Sequence, residues 1–327
     1  MKKFILFILA VAVLFSSCAS DKTNSDEPYK RIDRINHYAV EPDKNAAMDN
    51  KDRKYFYKLV DAMINYKDSV KLNTNNKKNE LYLESLKQSP YYFLVKDSTL
   101  SDRYVKFSYN YTKDEHESII NYMDEQFLDI VNCNAQQDDN SLDTILKIYS
   151  CVANRFEYDH SREEDYQLDL PIFTYPSDEV YKAFQTNKGV CFSFAYILNY
   201  SLLQAGIESF CIHGTCHAHN QAHMWNIFKY DEEYFHCDVV WDRSEENGYA
   251  KLYHFGKTDA ERTSDTLTSI NFSATHYPPY SDIKCTDNRF SIFRGIQKFS
   301  YIGEHKFLVE NFENKRSVFN TETFTIK

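Results

Sequence analysis

The sequence predicts an α+β fold in which a cysteine-bearing helix packs on an antiparallel β-sheet. An N-terminal α/β region precedes this core, and a small C-terminal β appendage follows it. Three observations carry the prediction. A wide apolar helical pattern runs from Cys191 to a terminating Gly206. Two alternating segments, 223–230 and 234–241, follow as an antiparallel pair. Short alternating runs recur beyond residue 286.

The chain has 327 residues, 43% of them hydrophobic, enough for one or two buried cores. It has 26 Tyr and 24 Phe against 7 Gly and 7 Pro, a balance that fits no collagenous or low-complexity framework. The net charge is −10 and the Lys and Arg are dispersed, which sets aside a nucleic-acid partner.

Residues 1–17 read as a signal peptide. Lys2 and Lys3 precede an apolar run over 4–15 that is too short to span a bilayer. Ser16-Ser17-Cys18 resembles the end of a bacterial lipoprotein signal, which implies cleavage before Cys18 and lipid on its thiol. One departure is Phe15 where such signals carry Leu, with Leu14 one step early. Residues 18–38 are polar and without period, as a tether is. The expected location is the bacterial cell envelope, exported and lipid-anchored to a membrane.

Residues 39–135 form the N-terminal α/β region. Phe56, Leu59, Val60, Met63 and Ile64 give helical spacing within 54–70. An apolar run covers 91–95. Residues 104–111 alternate as a strand, and 115–131 return to helix. No reactive side chains cluster here, so the region reads as scaffold.

The core is expected over residues 136–285. Leu142, Ile145, Leu146, Tyr149, Val152 and Ala153 share one helix face, with Ser141 as N-cap. A second helix is expected over 178–184. The third begins near Cys191, where the dipole and unpaired amides of a helix start favour an anion. If the turn centres on Tyr230-Asp231, His223 lies directly opposite Asp238, and the two share a face. A slip of one residue would separate them. The appendage over 286–327 is expected to hold strands at 290–293, 299–302, 307–312 and 318–326.

Cys191 stands 32 residues before His223 (223 − 191), and His223 stands 15 before Asp238 (238 − 223). A thiolate nucleophile, an imidazole base and an orienting carboxylate make the minimal set for cysteine acyl transfer. A buried Asp238 needs a partner, which His223 supplies. Cys133, Cys151, Cys211, Cys216, Cys237 and Cys285 read as small hydrophobes in preference to any specific disulfide.

The arrangement resembles the transglutaminase-like superfamily, whose core is shared with papain-like cysteine peptidases. The matching residues are the helix over 142–153, Phe156-Glu157-Tyr158-Asp159, Tyr181, Gly189-Val190-Cys191, Ala195 and Gly206-Ile207. Gly214, His223-Met224-Trp225-Asn226, Asp238 and Trp241-Asp242 complete them. The likeness covers about residues 141–260 and, more loosely, 260–285. It implies Cys191 as nucleophile, His223 as general base and Asp238 as the orienting acid. Asn187 stands where many members carry Gly.

Two donors are needed for an oxyanion hole. The Cys191 N–H is the natural first. Gln185 is a candidate second because papain-like peptidases place a Gln six residues before the Cys. Tyr181 is another, at a position where the resembled family often has an aromatic. Trp225, His217, His219 and Trp241 are candidates for the substrate cleft. The cluster His213, Cys216, His217, His219 and His223 matches no structural zinc spacing, so no metal and no cofactor are expected.

The function expected from the resemblance is an envelope-anchored cysteine hydrolase or acyltransferase acting on amide bonds of peptides or proteins through a thioester. The partners are that substrate and, through the lipid, a membrane. The alternative is a surface binding module that keeps the fold without turnover.

Overall fold

The structure is a computed structural model. It describes residues 31–41, 48–72, 76–101, 103–162, 178–216, 221–243, 249–263, 270–271 and 283–327. The expected signal peptide, Cys18, His217 and His219 lie outside the described residues.

The N-terminal region contains helix α1 (Asn50–Ile64), strand β1 (Ser69–Lys71), helix α2 (Asn76–Lys87), strands β2 (Val95–Leu100) and β3 (Tyr104–Tyr109), and helix α3 (Lys113–Val131). The three strands form one antiparallel sheet in the order β1-β3-β2. Helix α1 ends earlier than the apolar spacing suggested, because Val70 is the centre of a strand. Thr112 and Glu115 close a capping box at the start of α3.

Residues 31–38 do not behave as the end of a free tether. Ile32 and Asn132 exchange two hydrogen bonds, at 3.2 and 3.0 Å. His37 Nε2 lies 2.9 Å from Asp124, and the Asn36 backbone pairs with the Gln204 side chain. Buried Glu41 then accepts from Asn199 at 3.0 Å and from the Cys211 N–H at 2.8 Å. The boundary expected at residue 38 therefore falls too late. The contacts rest on polar side chains with no period, which is why the stretch read as linker.

The core follows in chain order: α4 (Ser141–Arg155), β4 (Glu157–Tyr158), α5 (Glu179–Thr186), β5 (Lys188–Gly189), α6 (Cys191–Gln204), β6 (Ser209–Cys216), β7 (Gln221–Tyr230), β8 (Glu233–Cys237), β9 (Phe255–Lys257), α7 (Asp259–Thr263) and β10 (Ile270–Asn271). The N-cap of α4 is Asn140, one residue before the expected Ser141. Asn140 and Asp143 form a capping box there. The main sheet is antiparallel, in the order β10-β6-β7-β8-β9, and α6 packs on β6 and β7. The fold is thus mixed α and β with antiparallel sheets.

Facing residues alternate along the central strands. Cys211 and Met224 pack with Val190, Cys191, Phe192 and Ala195 of the helix side. Phe210, Ile212, Trp225 and Ile227 pack with Cys285. Apolar residues fill both faces, as strands covered on both sides require.

The appendage is a four-stranded antiparallel sheet of β11 (Ile296–Gly303), β12 (Lys306–Asn311), β13 (Arg316–Asn320) and β14 (Thr325–Ile326). The expected strand at 290–293 is instead a short helical turn, Arg289–Phe293, that buries Phe290 and Phe293. Two aromatics three residues apart suit one turn of helix as well as alternation does. The expected run 318–326 is two strands, with Thr323 turned back on Asn320.

Candidate active site

Local sequence sets the nucleophile's place. Asn187 ends α5 in the left-handed region, φ 53°, a conformation that Asn tolerates better than most residues. Strand β5 then pairs in parallel with β4, so Tyr158 sits beside Gly189. A Cβ at Gly189 would lie 2.7 Å from the Ser193 Cβ, so only glycine lets the chain turn this tightly into α6. Val190 is the N-cap and Cys191 is the first helical residue. Cys191 is 4% exposed.

The His and Asp arrive by a register different from the expected one. The turn is Asp231-Glu232, and both residues have positive φ, 51° and 62°. Two consecutive left-handed residues match the twist of a two-residue hairpin. Asn226 consequently pairs with Cys237, where the expected register would oppose it to Phe235. The difference is two residues, so facing parity is kept. Asp238 follows directly after β8, and His223 Nε2 reaches its Oδ2 at 2.8 Å.

The Cys191 thiol is near enough to the same imidazole to influence its charge. Burial alone would push the His223 pKa down. The Asp238 charge and hydrogen bond outweigh it, with help from Cys191, and carry it up to about 10. For Asp238, burial acts upward, but His223 and Arg262 hold the carboxyl well below the ordinary carboxylate range. The Trp241 ring lies flat on His223, 4.5 Å between centroids and 6° between planes. Half-buried Trp241 thus covers the imidazole.

Other candidates are placed elsewhere. Trp225 is 1% exposed and donates its indole N–H to His236 Nδ1 at 3.0 Å; it underlies the site and does not line a cleft. Tyr181 stacks on Phe93, 5.4 Å apart, and meets Tyr122 edge-on. Its ring belongs to the seam with the N-terminal region, which a family position could not reveal. Gln185 is exposed near the end of α5.

Three neighbours were given no role in the sequence reading, although Asp242 was among the residues that carry the resemblance. Arg262, on α7, donates to Asp238 Oδ2 at 2.6 Å. Asp242 accepts from Tyr149 at 2.8 Å and from the His254 N–H at 2.9 Å; burial raises its pKa to about 7. His254 Nδ1 lies 3.5 Å from Arg262. One clue existed for Arg262. Thr258 and Glu261 have capping-box spacing and make both of its bonds, which marks a helix carrying Arg262.

His236, Asp259 and Cys285 bring three donor atoms within 4.8 Å of one another. The Trp225 N–H occupies Nδ1 of His236, so the proton sits on Nε2 and is donated to Asp259 at 3.0 Å. A metal ion at Nε2 would require a fully deprotonated ring, so this donor set suits a hydrogen-bond network.

The model of the transglutaminase-like superfamily matches residues 131–239, the segment that supplies Cys191, His223 and Asp238. This segment is similar to a transglutaminase-like core. No curated protein matches the chain. Two solved structures are similar at low levels. One is a crystal structure of a TGase, 13% identical over 54% of this chain and 51% of its own, with a TM-score of 0.33. The other, described as a cysteine-protease candidate from Cytophaga hutchinsonii, is 12% identical over 45% of this chain and 62% of its own, with a TM-score of 0.27. The chain thus spans about half the length of the first and less than two thirds of the second.

Proposed function

We propose that this protein is an envelope-anchored cysteine hydrolase or acyltransferase acting on amide bonds of peptides or proteins. The observation that carries the reading is His223, held by Asp238 and electrostatically coupled to a Cys191 that opens a helix within the segment similar to a transglutaminase-like core. His223 takes the Cys191 thiol proton, and Sγ attacks the amide carbonyl carbon, forming a C–S bond and a tetrahedral oxyanion. The Cys191 N–H, at the first helical position, suits that oxygen as a donor. His223 then gives its proton to the departing nitrogen as the C–N bond breaks, leaving a thioester. Water or an amine, deprotonated by His223, attacks the thioester and restores the thiol. Asp238 holds the ring in one orientation throughout.

The test is to incubate the protein with glutamine-containing and other peptides, with and without a primary amine. An acyl adduct on Cys191 by mass spectrometry, followed by acid or amide product, is expected. No adduct and no product across the screen, with peptide still bound, would make this a binding module.

The anchor is part of the proposal, on the strength of Lys2-Lys3, the short apolar run and Ser-Ser-Cys18. Cys18→Ser should release the protein from membranes or block its maturation. An unchanged membrane fraction and an unmodified N-terminus would refute it.

A further inference from the structure

We propose that Arg262 is a positioning residue that keeps Asp238 ionised and aimed at His223 in both protonation states of the imidazole. This rests on the reading of Cys191, His223 and Asp238 given above, and it assigns a role to a residue outside that set.

The geometry is specific. Arg262 is 1% exposed and Asp238 is fully buried. The Arg262 Nη2 lies 2.6 Å from Asp238 Oδ2, the same oxygen that His223 Nε2 meets at 2.8 Å. The other carboxylate oxygen accepts from the Trp241 N–H at 3.3 Å. The guanidinium lies between two indoles, 4.6 Å from Trp241 and 5.0 Å from Trp225. Those rings also stack against His223. Cation and imidazole therefore share both their carboxylate and their aromatic walls.

Helix α7 is short, and its neighbours fix it. Asp259 binds His236 and accepts the Cys285 N–H at 3.1 Å. Glu261 pairs with Arg294 at 2.8 Å. The helix that carries Arg262 is thus tied to its neighbours on either side of that residue.

The reason for a cation follows from the reaction. His223 carries a proton before the amine leaves and has given it up afterwards. In that second state a carboxylate paired only with His223 would be an uncompensated buried anion, and would take a proton itself. Arg262 cannot lose its charge. It supplies the countercharge when His223 is neutral. When His223 is protonated, it competes for the same oxygen and keeps the imidazolium from being held too tightly to act as an acid.

Other charged or titratable groups face this pair. They are His236 and Cys237 on β8, Asp242 and His254 in the loop to β9, Lys257 on β9, and Arg294 beyond it. All stay in place in the variants below, so a difference between variants reports on Arg262.

The test is the rate of Cys191 carboxamidomethylation by iodoacetamide against pH, on the intact protein, for wild type, Arg262→Gln and Arg262→Lys, with thermal melting to establish folding. Loss of a nearby cation raises every coupled acid, so in Arg262→Gln the inflections of the profile should move up by about one pH unit or more. Arg262→Lys keeps the charge but not the planar fork, so its inflections should stay near wild type while the plateau rate falls, by about tenfold. A folded Arg262→Gln with inflections unmoved would overturn the proposal. Should that variant not fold, an Arg262→Lys plateau equal to wild type would overturn it. A wild-type profile with a single inflection at the ordinary thiol value of about 8.5, unchanged by His223→Ala, would overturn the catalytic reading and leave Arg262 without this role.

Discussion

Two histidine–carboxylate pairs in this molecule share their chemistry and differ in their surroundings. In the core, His223 Nε2 lies 2.8 Å from Asp238. At the seam with the C-terminal sheet, His305 Nδ1 lies 2.5 Å from Asp143. Both carboxylates are fully buried. Asp143 spends its remaining capacity on structure: it caps α4 through the Asn140 N–H and accepts the Thr321 hydroxyl at 2.7 Å. Asp238 is bound to a guanidinium, and its histidine meets a thiol at a helix start. A His–Asp pair is therefore no site by itself. A thiol coupled to the ring, and a charge that frees the ring to trade its proton, separate the two.

Removing the nucleophile or the ring should break the comparison most sharply. Cys191→Ala or His223→Ala should lower peptide turnover by about a thousandfold or more, read as kcat/KM, without unfolding the chain. Comparable residual turnover in either variant would remove the triad from the chemistry.

Asp238→Asn should lower turnover by about a hundredfold or more through loss of orientation. It should also destabilise the fold, since Arg262 is left as a buried cation; breaking such a pair costs about 3–5 kcal/mol. Chemical denaturation checks this. A stability equal to wild type would mean that Arg262 is not held by Asp238.

His305→Ala should cost about 1–3 kcal/mol and leave Cys191 labelling unchanged. Its hydrogen bond to Asp143 raises the His305 pKa, and burial only partly opposes this. That contribution is present in full below the unfolded value of 6.5 and is lost as pH rises through the raised folded value. The gap between wild type and His305→Ala should therefore narrow on the alkaline side. A gap that widens there would contradict the assignment.

Asp242 should give the smallest effect. Burial raises its pKa from 3.8 to about 7, so the folded chain keeps a proton that the unfolded chain releases. This contribution is complete below 3.8 and fades as pH rises through about 7. Tyr149→Phe removes one hydrogen bond to Asp242 and should cost about 1 kcal/mol by thermal melting. No loss on melting would place Tyr149 outside this network.

The parts that repeat were legible in the sequence. The helix face from Leu142 to Ala153, the helix after Cys191 and the alternation across β7 and β8 are periodic, and packing obeys the period. The two-residue shift in register was not legible, because it depends on Asp231 and Glu232 both adopting positive φ without a glycine. Parity still brought His223 to Asp238. The roles of Arg262 and Asp242 were not legible because each is set by a partner far along the chain, Asp238 for the first and Tyr149 for the second. Tyr181 was a candidate by its family position and Trp225 was a candidate for the cleft, yet their rings go to the aromatic seam and to His236.

The central claim is that Cys191 is set apart from the other thiols by His223. The most direct measurement maps which cysteines iodoacetamide modifies at neutral pH, by mass spectrometry, in wild type and His223→Ala. Cys191 is buried, while Cys133 and Cys151 are half-buried. Among these described cysteines, exposure alone would put Cys133 and Cys151 first. The account predicts Cys191 first in wild type, with its lead gone in His223→Ala; labelling that follows exposure in both proteins would contradict it.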